Sequence, residues 1–121
     1  VVVILIGVEG TRGTALGQAL AAELGWPFEN ASIPRNEIDR AETMARLRAT
    51  VSRARDRREH LVLSCQGLAA KEADPFRGLR NVRLVQLAAD AGPEPRFSEV
   101  IIDGARPTAA IVAAVRAELG I

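Results

Sequence analysis

At 121 residues, 48% of them hydrophobic, the chain has the size and apolar content of one globular domain over 1–121, with no room for a second. Sixteen basic residues against fifteen acidic ones leave a net charge of +1, a bias too small to imply nucleic acid or an anionic membrane as a partner. Cys65 is the single cysteine, which excludes an internal disulfide and a cysteine metal cluster.

The chain opens on "VVVILI", Val1 to Ile6, a continuous β-branched and apolar run. It is far short of the roughly 20 residues of a membrane-spanning helix, and no signal-peptide pattern frames it. Its length and composition predict a strand buried on both faces of a parallel sheet. A cytoplasmic protein is expected, and the missing initiator methionine is compatible with a trimmed chain.

The glycine-rich turn "GVEGTRGTALG", Gly7 to Gly17, comes next. From Thr14 to Leu24 apolar residues recur at Leu16, Ala19, Leu20 and Leu24, the spacing of one helical face, and Gly25 is placed to end that helix. "WPFENASIP" reads as a short extended piece bounded by prolines. Asn36 to about Arg58 is the longest helical candidate, with Ile38, Ala41, Met44, Ala45, Leu47, Val51 and Ala54 near one broad face. Asn36 is its expected cap, with Asp39 completing an acidic variant of the capping box.

"HLVLSC" predicts a second buried strand, and a polar, partly helical stretch from Leu68 to about Phe76 follows it. "VRLVQLA", Val82 to Ala88, is a third strand, "ADAGPEPRFS" a loop by composition, and "EVIIDG" a short strand. Thr108 to Leu119 closes the chain as a helix with Ile111, Val112, Val115 and Leu119 on one face and Pro107 at its start. Strands alternating with helices predict a three-layer α/β domain with a largely parallel sheet of four or five strands. In such sheets ligands bind beyond the carboxyl ends of the strands, where the opening glycine turn falls.

A phosphate loop surrounds its anion with backbone amides and a helix amino end, while a lysine neutralises β and γ oxygens and a serine or threonine hydroxyl holds magnesium. Against G-x-x-x-x-G-K-[ST], Gly7 matches the first glycine and Thr14 the hydroxyl, but Arg12 stands at the second glycine and Gly13 at the lysine. Arg12 supplies a charge whose planar fork approaches from another angle than lysine. The motif alone leaves two readings open: an anion-binding loop over Gly7, Gly10, Thr11, Arg12, Gly13 and Thr14, or a structural turn between strand and helix. Gly7, Gly10, Gly13 and Gly17 also distantly suggest a dinucleotide turn with Glu29 near a ribose, although the spacing is not G-x-G-x-x-G.

The order of these segments resembles the gluconate kinase family, with the related shikimate kinases as cousins, both small P-loop kinases. Gly7, Val8, Gly10, Thr14, Leu16 and Gly17 fit that family's "GVSGSGKSTLG", and "GWPFENAS" from Gly25 to Ser32 resembles its "GWPFIDAD". "CQGLAAKEADPFRG" echoes "CSALKRSYRDxLRG", with Cys65, Leu68, Asp74, Arg77 and Gly78 corresponding. "VRLVQL" and "IIDGARPTAAIVAAV" resemble the family's later strands and final helix.

The resemblance implies a P-loop kinase-like fold, ATP and magnesium as cofactors with Thr14 at the metal, and a sugar acid such as gluconate, or shikimate, as substrate. The departures qualify it. Gly13 replaces the lysine, and Asn30 and Ser32 replace two acidic residues. Ala69, Glu72 and Ala73 replace the lysine, tyrosine and arginine of the sugar-acid region. Only about ten loop residues stand where the family carries its lid. Because phosphoryl transfer rests on positioning and on countering charge, this pattern predicts a noncatalytic kinase-like domain. It would bind nucleotide or phosphate weakly at most and act through a protein partner or as a homodimer, without nucleic acid or membrane. The alternative is a surviving small-molecule kinase in which Arg12 compensates.

Residual substrate contacts, on this resemblance, would come from Asn30, Ser32, Asp74 and Arg77, although a surface salt bridge or a helix cap accounts better for the last two. His60 has no adjacent nucleophile and reads as structural, and Cys65 as a small buried hydrophobe. The arginines from Arg46 to Arg58 read as a solvated face, interrupted by Asp56, with no aromatic residue to stack a base. Trp26 and Phe28 read as packing residues of the second strand.

Overall fold

Every residue of the first strand, β1 (Val2–Gly7), is buried, as its unbroken apolar composition requires of the centre of a parallel sheet. A computed structural model of the chain describes residues 1–7, 13–66, 68, 70–88, 100–103 and 106–121. The other strands are β2 (Phe28–Ser32), β3 (Leu61–Gln66), β4 (Val82–Ala88) and β5 (Val100–Asp103). They form one five-stranded sheet in the order β2-β3-β1-β4-β5, with each neighbouring pair parallel.

Parallel neighbours need crossovers, and helices supply them. The helices are α1 (Gly13–Leu24), α2 (Glu37–Asp56), α3 (Ala70–Ala73), which runs into a 3-10 turn at Asp74–Phe76, and α4 (Thr108–Leu119). The alternation of side chains along β1 divides the core in two. Val2, Ile4 and Ile6 pack with Met44, Leu47, Val51 and Ala54 of α2 and with Ala73 and Phe76. On the opposite face Val3 and Leu5 pack with Leu16, Leu20 and Ala21 of α1 and Ile111, Val112 and Val115 of α4. The result is three layers, α2 and α3 on one side of the sheet and α1 and α4 on the other.

Boundaries differ from the expected ones by a residue or two. β1 runs from Val2 to Gly7 rather than Val1 to Ile6, and β3 starts at Leu61, leaving His60 outside it. Gly25, with φ of 72°, ends α1 in the left-handed conformation that glycine adopts without strain. One expectation is overturned. Ile38 is 79% exposed and Ala41 and Ala45 are exposed as well, so α2 buries the narrow stripe Met44, Leu47, Val51 and Ala54 rather than a broad face. The reason is geometric: at about 100° per residue Ile38, Ala41 and Ala45 lie well round the helix from the stripe that meets the sheet, so they face solvent.

Trp26 and His60 stack with ring centroids 4.4 Å apart and planes 7° from parallel. They precede β2 and β3, at the amino ends of the strands, and so pack the end of the sheet away from the crevice described next. Among the described residues no helix is long and apolar enough to cross a membrane. The expected loop over Ala89 to Ser98 lies outside the described residues.

Candidate functional site

α1 leaves β1 over one face of the sheet, whereas α3 leaves its neighbour β3 over the other. Divergence of the connections from two adjacent parallel strands opens a crevice at their carboxyl ends, the usual ligand position in such a sheet. Gly7 and Gln66 face each other across that point, and Ser32 is the register partner of Gln66 on the far side.

Thr14, in the first turn of α1, stands over this crevice. Its hydroxyl donates to Asn30 Oδ1 at 3.2 Å and accepts from Gln66 Nε2 at 3.2 Å. The hydroxyl's only proton is thereby used, and one acceptor direction remains. Three residues from three elements form a chain of hydrogen bonds with no formal charge. The leading amides of α1 have no intrahelical acceptors and carry the positive end of the helix dipole, so the same place suits an anion. Beneath it Ser64, fully buried and register partner of both Leu5 and Asn30, has no hydrogen-bond partner for its Oγ among the described residues.

Of the residues singled out in sequence, Gly7, Thr14, Asn30 and Ser32 come together at this crevice, and Gly13 begins α1 beside them. Gly10, Thr11 and Arg12 lie outside the described residues. Asp74 and Arg77 belong to the other face: they form an ion pair of 3.1 Å across the 3-10 turn whose Phe76 packs against the α2 side of the sheet. Cys65 is fully buried on that same face, and burial pushes its thiol up to about 12, which leaves it unreactive at neutral pH.

Two residues that sequence reasoning did not select take part. Gln66 could have been found as the polar residue that ends an apolar strand at its ligand end. Arg40 had no sequence signal beyond its charge. In the fold its Nε donates to Glu72 Oε2 at 2.6 Å, its Nη2 to Glu72 Oε1, and its Nη1 to the Pro34 carbonyl at 3.1 Å. Both side chains are mostly buried, 24% and 20% exposed. Hydrogen bonding to Glu72 holds the Arg40 guanidinium above its ordinary pKa.

The donor set argues against a resident magnesium ion. Magnesium is held by one or two carboxylates beside substrate phosphates, yet Thr14 is bonded to two amide side chains. No group of three or more histidine, cysteine or acidic side chains suited to a metal occurs among the described residues.

No family model matches the chain, and no curated protein is similar to it in sequence. Solved structures do match. An unliganded sugar kinase from Janibacter sp. HTCC2649 superposes with a TM-score of 0.80 at 19% identity, over 99% of this chain and 94% of that one. A gluconokinase from Sinorhizobium meliloti 1021 gives 0.76 at 22% identity, over 98% and 90%. Shikimate kinase from Aquifex aeolicus gives 0.77 at 14% identity, over 99% and 96%. With its parallel five-stranded sheet between two helical layers, the chain has the fold of the P-loop small-molecule kinases.

Proposed function

We propose that this chain is a noncatalytic domain of the small-molecule kinase fold that binds the phosphate groups of a nucleotide or a free phosphate weakly, without magnesium. One observation supports the reading: the Thr14 hydroxyl spends its proton and one of its two lone pairs in the uncharged chain Gln66–Thr14–Asn30. Gly13, at the helix start before it, brings an amide and no charge to the place of the kinase lysine. Phosphoryl transfer spreads negative charge over the transferred group, and catalysis consists of countering that charge and aligning the reactants. Amides and a helix dipole can bind an anion but supply little of either. The role would then be regulatory, exerted on a protein partner or a second copy of the chain.

A second reading is ATP-dependent phosphorylation of a sugar acid such as gluconate, or of shikimate. It is favoured by the likeness itself, which points to this reading more directly than to the first. The neighbours are described as a sugar kinase, a gluconokinase and a shikimate kinase, and the likeness extends over nearly the whole chain. In this reading Arg12 takes over the charge of the missing lysine.

Calorimetric titration with ATP, ADP and inorganic phosphate, with magnesium and with a chelator, separates the two. Saturable binding of equal strength in both conditions, with no ADP release on adding gluconate or shikimate, is the expected result. Sugar-acid-dependent ADP release that is lost in Thr14→Ala would establish the kinase reading instead. No heat with any of the three ligands would leave the fold without its phosphate site.

A further inference from the structure

The solvent side of α2 is segregated by charge along its length. At about 100° per residue, Asp39, Glu42, Arg46 and Arg53 fall along one flank of that side, and Glu37 and Arg48 along the other. On both flanks the carboxylates come first and the guanidinium groups follow, and each of these residues is exposed. Between the flanks, from Ile38 through Ala41, Ala45 and Ala49 to Ser52, the exposed surface carries no charge and no side chain longer than isoleucine. Ile38 is far more exposed than Ile101, the other large apolar side chain left in solvent among the described residues.

The helix dipole accounts for part of this pattern, since it favours carboxylates in the first turn and cations in the last. Its reach ends there, whereas Arg46 and Arg48 stand in mid-helix, and it gives no reason for Ile38 to stand in water. A second copy of the helix accounts for both. Laid antiparallel about a two-fold axis, two copies of α2 bring each flank against the same flank of the partner. Asp39 and Glu42 of one copy then meet Arg46 and Arg53 of the other, Glu37 meets Arg48, and Ile38 lies over Ala49 and Ser52. A parallel arrangement would set acid against acid and base against base, which costs association free energy. The short side chains between the flanks let the two helix axes approach to about 8 Å, the near end of the usual packing range.

We propose that this chain self-associates through the solvent side of α2, two copies packing that helix antiparallel with their acidic and basic ends in register. The proposal rests on the reading of the chain as a noncatalytic domain that acts through a partner, and it names a second copy as that partner. A helix of 20 residues is about 30 Å long. A contact of that length lies near the low end of specific interfaces, about 1,200 Å², so a dissociation constant on the order of 10–100 µM is expected. The contact lies outside the α2 layer, on the opposite side of the sheet from α1, and leaves the Thr14 crevice open.

The test is analytical ultracentrifugation of the full chain from about 5 µM to about 1 mM, with the double variants Asp39→Arg/Glu42→Arg and Arg46→Glu/Arg53→Glu. Wild type is expected to pass from monomer to dimer across that range, and each variant alone to associate at least about tenfold more weakly. An equimolar mixture of the two variants is expected to regain association, because each then meets the opposite charge along the whole flank. A wild type that stays monomeric throughout overturns the proposal. So does a dimer that both variants keep, or a mixture that regains nothing. Should either variant fail to fold, the salt dependence of wild type decides: association that weakens at high salt supports the contact, and association that is unchanged or strengthened overturns it. Two further measurements on the same protein separate this proposal from the reading beneath it. Phosphate binding by a chain that stays monomeric removes the second copy as partner and leaves the noncatalytic reading in place. Sugar-acid-dependent ADP release by a dimeric wild type removes the noncatalytic reading and leaves the α2 contact.

Discussion

Gly17 shows how one residue can reverse a helix-propensity argument. In a helix interior glycine is less favourable than alanine by about 1 kcal/mol, so propensity alone predicts that Gly17→Ala stabilises α1. In the fold an added Cβ would lie 2.3 Å from Cε1 of Phe28, whose ring packs against the α1 side of the core. Gly17→Ala is therefore expected to lower stability by about 1–3 kcal/mol through overpacking, read from urea denaturation, with Phe28→Leu restoring part of the loss. A net gain would show that the ring swings clear at little cost. At the same scale, the polar site was half visible in the sequence. Thr14 is marked by the glycine spacing before it, but its partners Asn30 and Gln66 are 16 and 52 residues away in the chain. No local pattern encodes a hydrogen bond across such distances.

Among the elements, α2 was predicted closely at its start and less well along its face. Asn36 caps it, its Oδ1 accepting from the amides of Ile38 at 2.9 Å and Asp39 at 3.3 Å. Capping is local chemistry, satisfied within a few residues, and so can be read from sequence. Asn36→Ala is expected to cost about 1 kcal/mol, seen as a lower thermal midpoint, whereas Asn36→Asp or Asn36→Ser should leave it nearly unchanged. Periodicity also identified a buried face, but Ile38, Ala41 and Ala45 turned out exposed, because they lie well round the helix from the narrow stripe that meets the sheet. The stretch after β3 shows the same limit. The expected partly helical segment is a four-residue helix and a 3-10 turn, because Pro75 removes an amide from the path of a longer helix.

For the molecule as a whole, the buried thiol of Cys65 links global stability to pH. Its pKa rises from an ordinary 9.0 to about 12 because burial disfavours the thiolate. The folded thiol keeps its proton in that interval while the unfolded one loses it, so the unfolded state binds fewer protons and stability falls as pH rises. The loss begins near pH 9 and ends near pH 12, with a slope approaching about 1.4 kcal/mol per pH unit. Comparison with Cys65→Ala isolates it. The stability difference between wild type and variant should be constant below pH 8.5 and then shift steadily in favour of the variant. A difference that stays constant up to pH 10.5 would mean that the thiol ionises as readily folded as unfolded.

The class of the fold follows from properties that act over a few residues: unbroken apolar runs that can only be doubly buried strands, helical spacings between them, caps, and glycine at the end of α1. Their alternation is enough to imply a parallel sheet between helical layers, because parallel strands need crossovers and helices supply them. Tertiary structure alone decides the strand order, the crevice between β1 and β3, the joining of Thr14 to Asn30 and Gln66, and the pairing of Arg40 with Glu72. Each of these depends on which strands lie side by side and where the sheet ends under a helix. Those distances are set by the packing of the whole chain and leave no periodic trace in any one segment of it.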